Sequence, residues 1–115
     1  MSRAATTSDV FNAIAEPRRR EIVGLLAAGT PRSVTELVEA TKLPQPAVSK
    51  HLAVLRAVGV VTVQKDGKSR LYALNPVELK AVHDWISQFE KLWDGQLDRI
   101  KQRAERKAKE RAAQN

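Results

Sequence analysis

Gln45, Pro46, Ser49, Lys50 and His51 gather hydrogen-bonding and basic side chains into one short run. Val48, Leu52 and Leu55 recur through the same stretch at i, i+4 and i+7, so one helical face is apolar and the polar groups occupy the others. Amide, hydroxyl and ammonium groups clustered toward a helix N-terminus can reach the hydrogen-bonding edges of nucleic acid bases. They are poorly suited to covalent chemistry. Cysteine is absent, which removes a thiolate nucleophile, a thiolate metal site and any disulfide framework. The two histidines, His51 and His83, fall on different predicted helices, and no glycine-rich phosphate loop accompanies them. The side chains therefore argue for a binding surface and against an enzyme.

Charge points to the same kind of partner. The 115 residues carry 20 Lys and Arg against 13 Asp and Glu, for a net charge of +7, and the surplus is uneven. Residues 42–70 hold Lys42, Lys50, Arg56, Lys65, Lys68 and Arg70 against Asp66 alone. Residues 71–98 are acidic on balance, and residues 99–115 are basic again. Two basic patches of this kind suit a polyanion. A membrane is not the expected partner: no segment approaches the roughly 20 apolar residues of a span, and no large apolar anchors stand beside the terminal bases. The polar start lacks the apolar stretch of a signal peptide, and the expected location is the cytoplasm.

The elements that would position these groups follow from apolar spacing and turn residues. A short helix is expected at 8–15, with Val10, Phe11 and Ile14 on one side. A second starts at Pro17, carries Ile22, Leu25 and Leu26, and stops at Gly29. Arg18, Arg19 and Arg20 read as a solvated charge run. A third helix is expected near 35–41, with Ser33 and Thr35 as competing caps. Lys42-Leu43-Pro44 breaks it, and a fourth helix spans 45–58, where Pro46 is tolerated in the first turn. Alternation at Val61, Val63, Tyr72 and Leu74 around Asp66-Gly67 predicts a β-hairpin. A last helix is expected from Asn75-Pro76-Val77-Glu78, with Gly95 interrupting it. One domain is expected over residues 1–102, followed by a basic tail at 103–115 that is a frayed helix or disordered.

Two short helices joined by a tight turn and followed by a basic hairpin make a helix-turn-helix with a wing. Gln45, Pro46, Ser49, Lys50, His51 and Arg56, with Lys65, Lys68 and Arg70 of the hairpin, are the candidate DNA contacts. His51 has two readings, a phosphate ligand or a histidine packed toward the helix-turn-helix core. The run Pro44-Gln45-Pro46-Ala47-Val48-Ser49-Lys50-His51-Leu52, continued by Leu55 and Gly59-Val60-Val61, resembles the recognition helix of ArsR/SmtB-type bacterial repressors. Ile14-Ala15-Glu16-Pro17-Arg18-Arg19-Arg20 and Tyr72-Ala73-Leu74 match that family too. The resemblance implies a mainly α, winged helix-turn-helix fold of about five helices plus a two-stranded wing. It also implies a homodimer that represses transcription at palindromic double-stranded operator DNA.

Departures from the family pattern narrow this. Where many members carry sensor cysteines, this chain has Glu36-Leu37-Val38-Glu39-Ala40. Its last helix offers only His83 and Asp84 toward a metal site. No metal and no cofactor are expected, and nothing in the sequence identifies an inducer. The rivals are a metal-responsive derepressor using His83 and Asp84, and a coiled-coil interaction module that binds no DNA. The last helix has more apolar positions than one small domain can cover. Trp85, Phe89, Leu92 and Trp93, joined by Val10, Phe11 and Ile14, are therefore the expected dimer interface.

Overall fold

A computed structural model describes residues 7–114; the first six residues of the expected polar start and residue 115 of the tail lie outside it. Six α-helices and one hairpin run in the order α1 (Thr7–Ala15), α2 (Pro17–Leu26), α3 (Val34–Thr41), α4 (Gln45–Ala57), β1 (Val61–Asp66), β2 (Ser69–Leu74), α5 (Lys80–Ser87) and α6 (Glu90–Gln114), with a 3-10 turn at Pro76–Leu79 before α5. The mainly helical winged architecture is the expected one. The chain divides into two compact units, one ending at Val82 and the other starting at His83. Val82 is the last side chain packed against the core of the first unit.

The core of the first unit is drawn from every early element: Val10, Ala13, Ile22, Leu26, Leu37, Val48, Leu52, Leu55, Val58, Val60 and Val61. Local chemistry sets where each helix starts and stops. α1 ends without a glycine, and two arginines take its last carbonyls instead. Arg19 donates to the oxygens of Asn12 and Ala13, and Arg20 donates to those of Ile14 (2.9 Å) and Ala15 (3.0 Å). The reading of this run as solvated surface is corrected for Arg19, which is half-buried; Arg20 and Arg18, the latter paired with Glu21, are exposed and keep it. The Glu16 carboxylate caps α2 by accepting from the Arg19 N–H at 3.0 Å.

Ser33 wins the competition to start α3. Its hydroxyl accepts from the Glu36 N–H at 3.2 Å while Glu36 reaches back to the Ser33 N–H at 3.1 Å, a reciprocal box that satisfies two orphan donors. Lys42 then turns the chain with φ 62°, the sole non-glycine residue with positive φ among those described. α4 ends in a Schellman motif: the Val60 N–H bonds the Leu55 carbonyl and the Gly59 N–H bonds that of Arg56, both at 3.0 Å. Gly59 supplies the required φ of 82°.

The hairpin is antiparallel, with Val61 opposite Leu74 and Asp66 opposite Ser69. Its two-residue loop is Gly67-Lys68, so Asp66 closes β1 and does not occupy the turn itself. Positive φ at Gly67 alone matches a type II′ turn. Two long-range ties hold its base. Arg32 and Tyr72 exchange backbone hydrogen bonds of 2.9 and 2.8 Å, and Asn75 bonds the carbonyls of Val60 (2.8 Å, through its N–H) and Gly59 (3.0 Å, through its side chain).

In the second unit the helical run breaks at residues 88–89, not at Gly95, which sits inside α6. The break follows from how the carbonyls at the end of α5 are used. Ser87 Oγ donates to the His83 carbonyl at 2.6 Å and Gln88 Nε2 to that of Trp85 at 2.9 Å. The Phe89 N–H reaches back only to Ile86, so side chains and a tight turn replace the α ladder. A mid-helix glycine costs about 1 kcal/mol relative to alanine, which a helix of 25 residues absorbs. Beyond residue 101 the helix continues to Gln114, exposed as far as its side chains are described.

Candidate nucleic-acid interface

Burial of Val48, Leu52 and Leu55, each at 1% exposure or less, fixes the rotation of α4. Gln45, Pro46, Ser49, Lys50, Ala53 and Arg56 are left facing solvent. Pro44 at the cap position makes no side-chain hydrogen bond to the helix. The exposed row ends in a groove: Ser49, Ala53, Arg56 and Ala57 of α4 face Arg70 and Tyr72 of β2 across it. An adjoining groove shares Ser49, Arg70 and Tyr72 and adds Ser33, Val34 and Thr35 from the start of α3 and Ser69 from the wing.

α3, α4 and the hairpin thus meet around Ser49 and Arg70. The Arg32–Tyr72 bridge makes that meeting possible by docking β2 beside the start of α3. Ser33, Thr35, Ser69 and Tyr72 belong to this surface and were not among the sequence candidates. The sequence holds a faint signal for the first two, since both are hydroxyl residues at the start of the helix-turn-helix, but the expectation of a cap there absorbs it. Nothing local announces the bridge.

Further out, Lys65 and Arg70 are direct cross-strand partners, and Lys68 occupies the exposed turn. Like charges placed opposite each other destabilise an antiparallel pair. A wing that carries such a pair is stabilised by a polyanion placed against it. Lys65→Thr is therefore expected to stabilise the free protein by about 0.5 kcal/mol at low salt. Urea denaturation of both proteins at low salt checks the sign.

His51 departs from the other α4 candidates. It is half-buried, with Nδ1 3.4 Å from Arg19 Nη1. A guanidinium can only donate, so Nδ1 is the accepting side of this contact. His51 thereby joins α4 to the arginine that closes α1.

Among the expected interface residues, Val10 is corrected: at 1% exposure it belongs to the core of its own unit, where α1 packs on α2. Phe11 and Ile14 are half-buried. Trp85, Leu92 and Trp93 are exposed at 53%, 64% and 47%, and Phe89 meets Trp85 edge-on with ring centroids 5.2 Å apart. His83 Nδ1 lies 3.5 Å from Asp84 Oδ1, both exposed. Among the described residues, no cluster of three or more His, Asp or Glu could hold a metal ion, and no helix is long and apolar enough to cross a membrane.

Comparison with known proteins gives the same architecture. Residues 16–63 match the model for the bacterial regulatory protein, arsR family. The chain is 46% identical over 66 residues to the HTH-type transcriptional repressor SmtB of Mycobacterium tuberculosis, a match covering 57% of this chain and 48% of that repressor. It thus spans about half the length of that relative. It is 30% identical over 90 residues to the transcriptional repressor SdpR of Bacillus subtilis, covering 78% of this chain and 99% of SdpR. Among solved structures, the homodimeric winged helix-turn-helix DNA-binding domain of Mb0332 from Mycobacterium bovis superimposes with a TM-score of 0.60 at 26% identity, covering 71% of this chain and 78% of that one.

Proposed function

The chain belongs to the arsR family of bacterial regulatory proteins, and from that premise we propose that it is a sequence-specific, DNA-binding transcriptional repressor acting as a homodimer. The observation that carries this reading is the surface where α4, the start of α3 and the wing converge on Ser49, Arg56 and Arg70. The N-terminal half of α4 enters the major groove, where Gln45, Ser49 and Lys50 reach base edges. Arg56 and Arg70 neutralise phosphates along the groove walls, while Lys65 and Lys68 hold the wing to the backbone or minor groove. No catalytic step is involved, and the work is done in the cytoplasm, where the operators are.

Two copies related by a two-fold axis place their α4 helices in successive major grooves. The exposed apolar side chains of Trp85, Leu92 and Trp93 support that pairing. The repressor acts without a metal. The segment where sensor cysteines stand in many relatives instead contributes Leu37, fully buried, and Val38, packed on the core.

Ser49→Ala and Lys50→Ala are each expected to weaken operator binding about tenfold, the size of one lost base contact. Both positions are exposed, so unfolding curves should stay unchanged. Gel-shift titration of the two variants checks the assignment, and wild-type affinity in both would remove the reading face from α4.

A further inference from the structure

We propose that Arg99, Arg103 and Arg106 of α6 form a second nucleic-acid surface, one that grips the phosphate backbone of duplex DNA without reading its sequence. It lies wholly within the unit that starts at His83. It goes beyond the operator reading above, because it requires nothing of α4 or the wing. At 3.6 residues per turn, positions 99, 102, 103 and 106 share one face of α6, and the side chains of Arg99, Gln102, Arg103 and Arg106 line one groove. All four are exposed. Among the described residues, none of the three arginines forms an ion pair or a side-chain hydrogen bond.

A helix face that is merely solvated balances its charges within itself. Residues 99–115 instead hold seven bases against Glu105 and Glu110 alone. By the same helical count Glu105 falls on another face, and Glu110 stands one turn beyond Arg106. Arg99 and Arg103 are like-charge neighbours at i,i+4, and Arg103 and Arg106 at i,i+3, arrangements that weaken a free helix. A polyanion laid along the face replaces that repulsion with attraction, and release of its counterions drives the association.

The chemistry of the face selects the polyanion. Arginine presents a planar fork that matches phosphate oxygens in pairs. All three bases in the row are arginine, while lysines stand around it at 101, 107 and 109. From Arg99 to Arg106 the row runs about 10 Å along the helix axis. Its charges are therefore strung out toward successive phosphates and not gathered on one small anion. Gln102 adds a neutral donor for a backbone oxygen. No aromatic residue follows Trp93, so the row has no platform on which the bases of a single strand could stack. Beyond Ile100 the apolar residues are all alanine, which gives a lipid surface little area to bury.

Two triple variants of the full chain test the row. One carries Arg99→Gln, Arg103→Gln and Arg106→Gln. The other, with Lys101→Gln, Lys107→Gln and Arg111→Gln, removes the same charge from other faces. Glutamine keeps a long, helix-compatible side chain, so far-UV circular dichroism should match wild type in both. Anisotropy titrations of a labelled mixed-sequence duplex are run over a salt series. The arginine variant should bind about 30-fold more weakly at moderate salt, with a log–log slope shallower by roughly 2–3 per bound protomer. The control should lose less than about threefold in affinity and less than about one in slope. Adding the arginine changes to Lys50→Ala should lower the slope by the same amount, whether or not α4 reads an operator. Equal losses in the two triple variants would mean diffuse charge and overturn the row, and an unchanged slope in the arginine variant would overturn it too. So would an arginine variant that keeps duplex binding but no longer sediments with phosphatidylglycerol vesicles, which would assign the face to a lipid surface.

Discussion

Leu52→Ala is expected to cost the folded protein about 3 kcal/mol. Leu52 is 1% exposed, in the middle of the α4 stripe between Val48 and Leu55. Its neighbours come from several elements of one core, so the surroundings cannot collapse onto the vacated space, and the cavity term adds to the lost transfer energy. A loss of this size is a large fraction of the roughly 5–15 kcal/mol typical of a small domain. DNA affinity should fall with it, because this side chain fixes which face α4 turns outward. Chemical denaturation at fixed protein concentration checks the prediction, the concentration being held because dimerisation is linked to folding. A shift under about 1 kcal/mol would mean that the stripe is not packed as described.

The double variant Arg56→Ala, Arg70→Ala should lower operator affinity roughly 100-fold at moderate salt while leaving unfolding unchanged. The two arginines stand on opposite walls of the groove between α4 and β2, and in the proposed docking they neutralise phosphate on both sides of it. Losing two charges per protomer removes about four from a dimer, and the log–log dependence of affinity on salt should become shallower by roughly 3–4. The slope separates electrostatic contact from misfolding: a distorted protein loses affinity, but its remaining binding keeps a similar slope. Weakened binding with an unaltered slope would therefore remove these residues from the phosphate-contacting set.

What the sequence disclosed and what it withheld divide along sequence separation. The α4 stripe, the Gly59 stop and the hairpin are each specified by residues a few positions apart, and periodicity or turn chemistry exposes them, whereas Ser33 and Thr35 compete as caps until the Glu36 box is seen. Arg19 reads as part of a solvated run because the carbonyls it caps belong to the preceding helix, across Pro17. The Arg32–Tyr72 bridge joins segments forty positions apart, and without it Ser33, Thr35 and Arg70 have no reason to share a surface. Val10 fits both a core and an interface pattern, since apolar spacing marks a buried face without saying what buries it. The break at residues 88–89 depends on Ser87 and Gln88 bonding backward to carbonyls, a competition that apolar spacing does not register, whereas Gly95 offered an obvious but wrong place for it. For the candidate site, the exposed positions on α4 and the wing bases were legible one by one; their convergence into a groove was not.

Selection of bound duplexes from a random pool, followed by footprinting of the enriched sequence, decides whether two copies of α4 and the wing read an operator. The expected product is a palindrome whose half-sites lie about one helical turn, roughly 34–36 Å, apart, with protection lost in the Lys50→Ala protein. A pool that emerges unenriched, or binding no tighter to the selected duplex than to unrelated DNA, would contradict a sequence-specific repressor.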